Sequence, residues 1–235
     1  MWLSSSTVGR KVVMSVSGLF LILFLTFHMS MNLVAIFSEE GYNAVCEFLG
    51  ANWYALVGTL VLAAGFFVHI IYAFWLTMQN RRARGEQRYE VVDKPKSVEW
   101  ASQNMLVLGI IVIGVAFFHL YHFWYNMQFQ EIIGNHTVDL EQCALGAGMA
   151  VDGLSVHNGY DFIVAMFSNP VVVVLYLIWF VAIWFHLTHG FWSAIHTLGW
   201  NNDIWFNRWK TIAKVYATIL CLGFAFVAIW FGFIY

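Results

Sequence analysis

Four apolar stretches of the chain carry a histidine near one end: His28, His69, His119 and His186. Imidazole is a common metal ligand in proteins. An ionisable side chain inside a bilayer is costly, so it usually faces the interior of a helix bundle and serves a function. A single histidine of this kind is equally well explained by a hydrogen bond between helices. The spacing of all four therefore decides between helix packing and a ligand site.

Two of these histidines lie at the same depth from the start of their stretches. His28 follows Lys11 by seventeen residues, and His119 follows Ser102 by the same number. At 1.5 Å per helical residue, both imidazoles lie about 25 Å from the membrane face at which their helices enter. The spacing predicts that His28 and His119 meet at one level near the outer face.

The other two histidines form a second pair near the inner face. His69 follows Trp53 by sixteen residues, and His186 follows Pro170 by sixteen. Both lie about 24 Å along helices that run in the opposite direction. Each pair joins two helices, as a bis-histidine haem site in a helix bundle requires. The two levels are roughly 15–20 Å apart, which suits two haems b that exchange electrons.

The remaining histidines have weaker claims to a ligand role. His122 and His189 each lie three residues after a proposed ligand, and we expect them to bond a haem propionate, a backbone carbonyl or water. His196 is expected at the inner interface, and His136 and His157 in an exposed outer loop. The two His-x-x-His pairs also resemble the histidine boxes of di-iron membrane hydroxylases, but those sites gather their histidines on one side of the membrane.

The composition places these histidines in an all-α integral membrane protein. Hydrophobic residues make up 61% of the 235-residue chain and charged residues 10%, and mean hydropathy is +0.71. Soluble domains have about a quarter charged residues. No basic patch interleaved with aromatic residues points to nucleic acid. Five apolar runs are long enough for transmembrane helices and predict a five-helix bundle in one membrane domain, 1–235. The predicted spans are roughly 12–37, 53–78, 102–127, 169–198 and 210–234.

The positive charges predict the direction of the spans. All Lys and Arg residues fall on one side of the five spans, and the connections 38–52 and 128–168 contain none. Cytoplasmic loops carry an excess of Lys and Arg, so the N-terminus is expected in the cytoplasm and Tyr235 outside. The positive residues are Arg10, Lys11, Arg81, Arg82, Arg84, Arg88, Lys94, Lys96, Arg208, Lys210 and Lys214.

The outer side of this topology includes a long connection, 128–168. It is longer than most helix–helix loops, and we expect an ordered outer cap, with a floppy loop as the alternative. Cys46 and Cys143 both fall on this side, where an oxidising compartment could pair them. The sequence alone leaves that pairing open because it does not give the distance between their Cα atoms.

From about Ser4 to the end of the last span, the chain resembles the single-subunit, di-haem cytochrome b membrane anchor of the succinate:menaquinone and menaquinol:fumarate oxidoreductases. Each motif is weak alone, and the ordered set on five spans is specific. The motifs are His28-Met-Ser-Met-Asn32, His69-Ile-Ile-Tyr72, His119-Leu-Tyr121, and Phe185-His186 followed by Gly190 and Trp192.

The resemblance implies that His28 and His119 bind the iron of the distal haem b, and that His69 and His186 bind that of the proximal haem b. It also implies two partners on the cytoplasmic face, a flavoprotein subunit with FAD and an iron–sulfur subunit. The chain would lie in the lipid of a bacterial cytoplasmic membrane. It would pass electrons between the iron–sulfur subunit and menaquinone or menaquinol, while dicarboxylate chemistry belongs to the flavoprotein.

Quinone chemistry needs a proton donor or acceptor beside the ring. Fumarate-reducing members of the family place a glutamate near the outer start of the second span, and Glu47 is the nearest match. The alternative interpretation of Glu47 is a solvated acid in a loop. Some members carry a glutamate two residues before the fourth haem ligand as part of a proton path. Here that position is Trp184, which cannot titrate, so a proton path of that kind is not expected.

Another respiratory complex is the main alternative. A cytochrome b subunit of a hydrogenase or a nitrate reductase also holds haem between histidines of different helices. The identity of the co-purifying partner subunits distinguishes these possibilities, since the histidine pattern alone does not.

Overall fold

A computed structural model of the chain describes residues 6–84, 99–139 and 152–235. Five helices in this part of the chain are long and apolar enough to cross a membrane. They confirm the prediction of an all-α protein with five apolar spans. These five helices are Thr7–Phe37, Trp53–Ala83, Met105–Ile132, Pro170–Thr197 and Trp205–Ile234.

The complete order of elements adds shorter helices and one strand pair. In chain order they are α1 Thr7–Phe37, α2 Glu39–Phe48, α3 Trp53–Arg84, α4 Trp100–Gln103, α5 Met105–His119, a π-helical segment Leu120–Phe129, α6 Gln130–Ile132, β1 Thr137–Val138, β2 Leu154–Ser155, α7 Gly159–Phe167, α8 Pro170–Thr197, α9 Trp205–Ile229 and a second π-helical segment Trp230–Ile234. Three of the basic residues that predict the direction of the spans, Arg88, Lys94 and Lys96, lie outside the described residues.

Helix ends differ from the predicted span ends because capping side chains, rather than apolar residues, fix them. The first helix begins at Thr7 instead of residue 12, where the Ser6 hydroxyl accepts a hydrogen bond from the Gly9 amide at 2.9 Å. The last helix begins at Trp205 instead of residue 210, and its amide donates to the Asn202 side chain at 2.9 Å.

The connection between the first two long helices contains a helix that the sequence did not predict. Helix α2 occupies Glu39–Phe48, and the Ser38 hydroxyl caps it by accepting from the Gly41 amide at 2.9 Å. Helix α2 is amphipathic, and Tyr42 on one of its faces is buried. The connection is therefore a packed element and not an open loop.

The long outer connection is also folded where it is described. Strands β1 and β2 pair antiparallel, with Thr137 opposite Ser155. Helix α7 follows, and its Phe162 is fully buried in a small core with Leu154. The described part of this connection is therefore packed structure. Residues 140–151, which include Cys143, lie outside the described residues.

A π-helical segment begins directly after His119. In Leu120–Phe129 the backbone hydrogen bonds span five residues, which makes a wider turn than in an α-helix. The Asn126 side-chain amide adds hydrogen bonds to the carbonyl oxygens of Tyr121 at 2.9 Å and His122 at 3.3 Å. π-Helical turns are frequent at functional sites, and this one follows a predicted ligand.

The chain divides into two compact units. The first unit comprises Met1–Phe24, Val61–Ile110 and Trp184–Thr218, and the second comprises Leu25–Leu60, Ile111–Ile183 and Ile219–Tyr235. His69 and His186 belong to the first unit, whereas His28 and His119 belong to the second. Each predicted histidine pair therefore lies within a single unit.

Large apolar side chains cover the outside of the long helices. Leu23 and Leu60 are each 70% exposed, and Ile219 is 62% exposed. Exposed apolar surface on this scale is unfavourable in water, whereas lipid solvates it. These helices are consistent with a multi-pass membrane protein.

Candidate functional site

The second unit brings His28 and His119 together. Their ring centroids lie 5.8 Å apart with an angle of 78° between the ring planes. Aromatic side chains surround the pair: Phe224 lies 5.8 Å from His28, and Phe123 and Trp179 lie 5.2 and 5.6 Å from His119. The pair predicted from helical depth is therefore present, in an aromatic setting.

A tyrosine hydroxyl holds the ring of His119. Nδ1 of His119 lies 3.2 Å from the hydroxyl of Tyr176, which is 2% exposed. Phe167 packs edge-on against Tyr176 at 5.1 Å and limits its movement. A metal-binding histidine usually bonds a fixed partner through its second ring nitrogen, and Tyr176 occupies that position here, which leaves Nε2 for a metal.

An amide side chain lies beside His28. Asn32, one helical turn later, donates from its amide nitrogen to the backbone carbonyl of His28 at 2.8 Å. The same nitrogen lies 3.4 Å from Nδ1 of His28. On its other side, the Asn32 oxygen accepts a hydrogen bond from the hydroxyl of Tyr42 at 3.3 Å. His28 is thus connected through Asn32 to helix α2.

The first unit brings His69 and His186 together. Their ring centroids lie 6.4 Å apart, and their planes form an angle of 68°. The Ser17 hydroxyl lies 3.2 Å from Nδ1 of His69 and donates its own proton to the Met14 carbonyl at 3.1 Å. When the Ser17 proton points to Met14, the hydroxyl oxygen can accept from an Nδ1–H of His69, and a metal ligand requires this tautomer because its Nε2 must be unprotonated.

Small residues permit close approach around this pair. A Cβ atom at Gly18 would lie 3.2 Å from Cε1 of His69, and one at Gly109 would lie 3.9 Å from Cε1 of His186. Nδ1 of His186 is buried and makes no hydrogen bond within the described residues. His186 is therefore the one member of this pair whose orientation depends on packing.

Both separations fit an iron ion held between two imidazoles. A metal–nitrogen bond of about 2 Å, with the nitrogen about 1 Å from the ring centre, puts two opposed rings roughly 6 Å apart. The observed values are 5.8 and 6.4 Å. Haem takes only axial ligands from the protein, so pairs suffice. Within the described ranges, no three His, Cys, Asp or Glu side chains gather as a metal-binding group.

The structure places His122 and His189 in different surroundings, and their predicted hydrogen bonds to a propionate, a carbonyl or water stay a prediction. His122 is 1% exposed and packs edge-on against Phe118 at 3.8 Å. Nδ1 of His189 lies 3.8 Å from the carboxylate of Glu99. That carboxylate also pairs with Lys210 at 3.5 Å and accepts from Trp192 at 3.3 Å. No sequence pattern predicts this cluster, because its members come from three separate segments of the chain.

The other three histidines lie near chain connections. His136 and His157 are exposed, with ring centroids 6.2 Å apart, which agrees with their expected exposure. Nδ1 of His196 lies 2.6 Å from the Asn201 amide nitrogen, just after helix α8. These contacts are typical of surface and helix-end residues.

The predicted quinone-side acid, Glu47, is exposed at the end of helix α2, and its role stays a prediction. A second carboxylate, Glu131, is better enclosed, with 23% of its side chain exposed. It accepts from the Ala51 amide at 2.9 Å and lies so close to Gly50 that a Cβ there would be 2.6 Å away. Glu131 therefore stabilises the connection between α2 and α3 by accepting a hydrogen bond from its backbone.

Cys46 lies in this outer region against Tyr42 and the backbone of Gly159. Burial raises the pKa of the Cys46 thiol to about 11 and raises the pKa of Tyr42 well above its usual value. A Cβ atom at Gly159 would collide with the Cys46 sulfur, so the thiol fills a space that only glycine leaves. The possible pairing of Cys46 with Cys143 stays open, since Cys143 lies outside the described residues.

No protein-family model, curated protein or solved structure matches the chain. The class that the fold and site define is a helical protein with five apolar spans and two histidine pairs. The particular function rests on the chemistry of those pairs.

Proposed function

We propose that the chain is a di-haem cytochrome b that anchors a succinate:menaquinone or menaquinol:fumarate oxidoreductase in a bacterial cytoplasmic membrane. The observation that carries this proposal is the presence of two imidazole pairs, each drawn from two long helices, at 5.8 and 6.4 Å. His28 and His119 would hold the distal haem b, and His69 and His186 the proximal one.

The haems supply one-electron transfer when bound. The protein's own residues hold the imidazoles in fixed orientations: Ser17 accepts from His69, and Tyr176 bonds His119. Apolar and aromatic neighbours such as Trp179 exclude water from the rings. Such a dry, preorganised surrounding keeps the ligands in place during a change of charge.

The proposed direction of the chain follows the positive charges, with the N-terminus in the cytoplasm and the C-terminus outside. The partners would then dock on the cytoplasmic face, namely an iron–sulfur subunit and a flavoprotein with FAD. Electrons would pass through this chain to or from menaquinone in the lipid. Glu47 is the proposed proton donor or acceptor for the quinone. In α8, Trp184 donates to Thr218 at 2.9 Å, so this position serves packing and not proton transfer.

The test is purification of the intact complex in mild detergent. We expect two haems b per chain in the dithionite-reduced absorption spectrum and co-purifying flavin and iron–sulfur polypeptides with fumarate or succinate activity. Hydrogenase or nitrate reductase partners would favour the alternative cytochrome. A colourless iron protein would favour a hydroxylase and contradict the proposal.

A separate variant tests the quinone acid. Replacing Glu47 by Gln removes its titration with little change in size, and we expect slower quinol turnover with both haem spectra intact. Unchanged turnover would remove Glu47 from the site. The matched variant Glu40→Gln, another exposed acid of helix α2, is the control.

A further inference from the structure

An open groove lies against the first two turns of helix α9. It has a volume of about 420 Å³ and is lined by Trp205, Asn207, Arg208, Thr211 and Ile212. Successive residues of a helix are about 100° apart around its axis, so these five fall on one side of α9. The groove is therefore a feature of one helix face, and it lies entirely within the first unit.

Arg208 gives this groove its charge. Its side chain is exposed, and Cζ lies 5.1 Å from the centre of the Trp205 ring. A guanidinium that packs over an aromatic ring still presents its N–H edge, which can bind a phosphate through two parallel hydrogen bonds. Helix α9 contains no Asp or Glu, and Arg208 forms no ion pair within the described residues. The positive charge in the groove is therefore not neutralised by a carboxylate from this part of the chain.

The other basic residues of α9 differ from Arg208. Lys210 pairs with Glu99 at 3.5 Å, and its ammonium group also lies 4.8 Å from the centre of the Trp192 ring. Lys214 is exposed, but it follows Arg208 by six residues and so lies about 120° away around the helix axis. Arg208 is therefore the basic residue of the groove itself.

The same helix face becomes apolar beyond the groove. Ile212 and Val215 are exposed and lie within about 40° of Arg208 around the axis. Arg208 stands just before the apolar run 210–234, at the level where headgroups meet hydrocarbon, and Trp residues such as Trp205 are frequent at that level. A cation at headgroup level, followed by exposed apolar surface, is complementary to an amphiphile with a negatively charged head.

The segment before α9 holds the groove in shape. The indole N–H of Trp209 donates to the carbonyl oxygen of Trp200 at 2.9 Å. The amides of Ile204 and Trp205 donate to the side-chain oxygen of Asn202 at 3.0 and 2.9 Å. A site that is already formed loses less conformational entropy when it binds a ligand.

We propose that this groove binds one phospholipid with an anionic headgroup, of the phosphatidylglycerol type. Its phosphate lies against Arg208, and one acyl chain follows Ile212 and Val215. A zwitterionic lipid fits less well, because its ammonium group lies close to the guanidinium. A soluble phosphate has no chain to cover the apolar face. The proposal depends on the location of α9 in a membrane and is independent of haem binding.

The experiment is native mass spectrometry of the full chain in detergent, titrated with phosphatidylglycerol or with phosphatidylcholine of the same acyl chains. We expect one phosphatidylglycerol to bind more tightly than phosphatidylcholine. Arg208→Gln should weaken its binding about five-fold and leave phosphatidylcholine unaffected. The matched control is Lys214→Gln, which removes the same charge from the same helix outside the groove and should leave the affinity unchanged.

Three results would overturn the proposal. Equal weakening by Lys214→Gln would show attraction to general surface charge, and equal affinity for the two lipids, or for glycerol 3-phosphate, would show that the groove does not select an anionic lipid. Loss of a co-purifying polypeptide in Arg208→Gln, with lipid binding unchanged, would assign the groove to a protein partner. Should Arg208→Gln not fold, Ile212→Ser decides: weaker phosphatidylglycerol binding supports the proposal, and unchanged binding contradicts it.

Discussion

Single hydroxyl groups contact Nδ1 of two of the four imidazoles. Ser17 lies beside His69, and when its proton points to the Met14 carbonyl its oxygen can accept from an Nδ1–H of His69. This role depends on a contact across 52 positions of the chain, which no local pattern indicates.

The Ser17→Ala variant tests this role. Without the acceptor, the His69 tautomer is no longer fixed, and we expect haem affinity at the inner site to fall about 10- to 100-fold. The measurement is haem retained per chain after dilution in detergent, with the outer haem as internal reference. Ser15→Ala removes another buried hydroxyl of the same helix and should retain both haems. Equal retention in the two variants would contradict the role of Ser17.

The Cys46 thiol offers a pH-dependent prediction in the outer region. Because burial raises its pKa to about 11, the thiolate is scarce at pH 8 and increases as the pH rises towards that value. We expect iodoacetamide to label Cys46 roughly a hundred-fold more slowly at pH 8 than an ordinary cysteine. Mass spectrometry of labelled peptides measures the rate in a Cys221→Ser background. Rapid labelling at pH 8 would contradict the burial of this thiol.

At the scale of elements, glycines decide how closely the first two long helices pack. A Cβ atom at Gly65 in α3 would lie 2.6 Å from Cε1 of Phe20 in α1. The contact is between backbone and a rigid aromatic ring, so the helices would have to separate. Close backbone approach through small residues is the usual basis of helix packing in lipid.

Gly65→Ala should therefore destabilise the protein by about 1–3 kcal/mol through overpacking. Thermal unfolding in detergent should show a lower transition temperature and, through the shift of α3, weaker haem binding at His69. Gly58→Ala lies on the same helix where a Cβ atom meets nothing within 4 Å, and it should leave the transition unchanged or raise it. A Gly65→Ala variant as stable as Gly58→Ala would refute the close contact.

The long apolar helices could be predicted from sequence, and the shorter elements could not. Twenty or more apolar residues in a row have few alternatives to a membrane helix, so the five spans follow directly. Helix α2 contains charged residues, such as Glu39 and Glu40, and its packing depends on partners far along the chain. The hydrogen bond that the Ala51 amide donates to Glu131 depends on tertiary contacts in the same way.

For the molecule as a whole, the depth of each histidine in its span predicted which pairs form. Two counts of residues along helices assigned His28 to His119 and His69 to His186, and the ring distances are 5.8 and 6.4 Å. The count predicts the pairs because each helical residue adds a fixed rise along the helix axis, whatever its side chain packs against. The partners Asn32, Tyr176 and Glu99 depend on rotamers and neighbouring helices, so counting did not reveal them.

The long helices expose apolar side chains, which suits lipid. Glu99, Lys210 and His189 form a polar cluster from three segments of the chain. Ionisable side chains inside a membrane usually serve a function, as proposed for the two histidine pairs.

The most direct test of this account is selective loss of one haem from each pair. In the full-length chain, His69→Ala and His186→Ala should each abolish the same haem, while His28→Ala and His119→Ala should each abolish the other. The exposed His157→Ala serves as control and should retain both. The measurement is haem content per chain combined with the reduced absorption spectrum. Retention of two haems after substitution of His69 or His186, or loss that crosses between the pairs, would contradict the account.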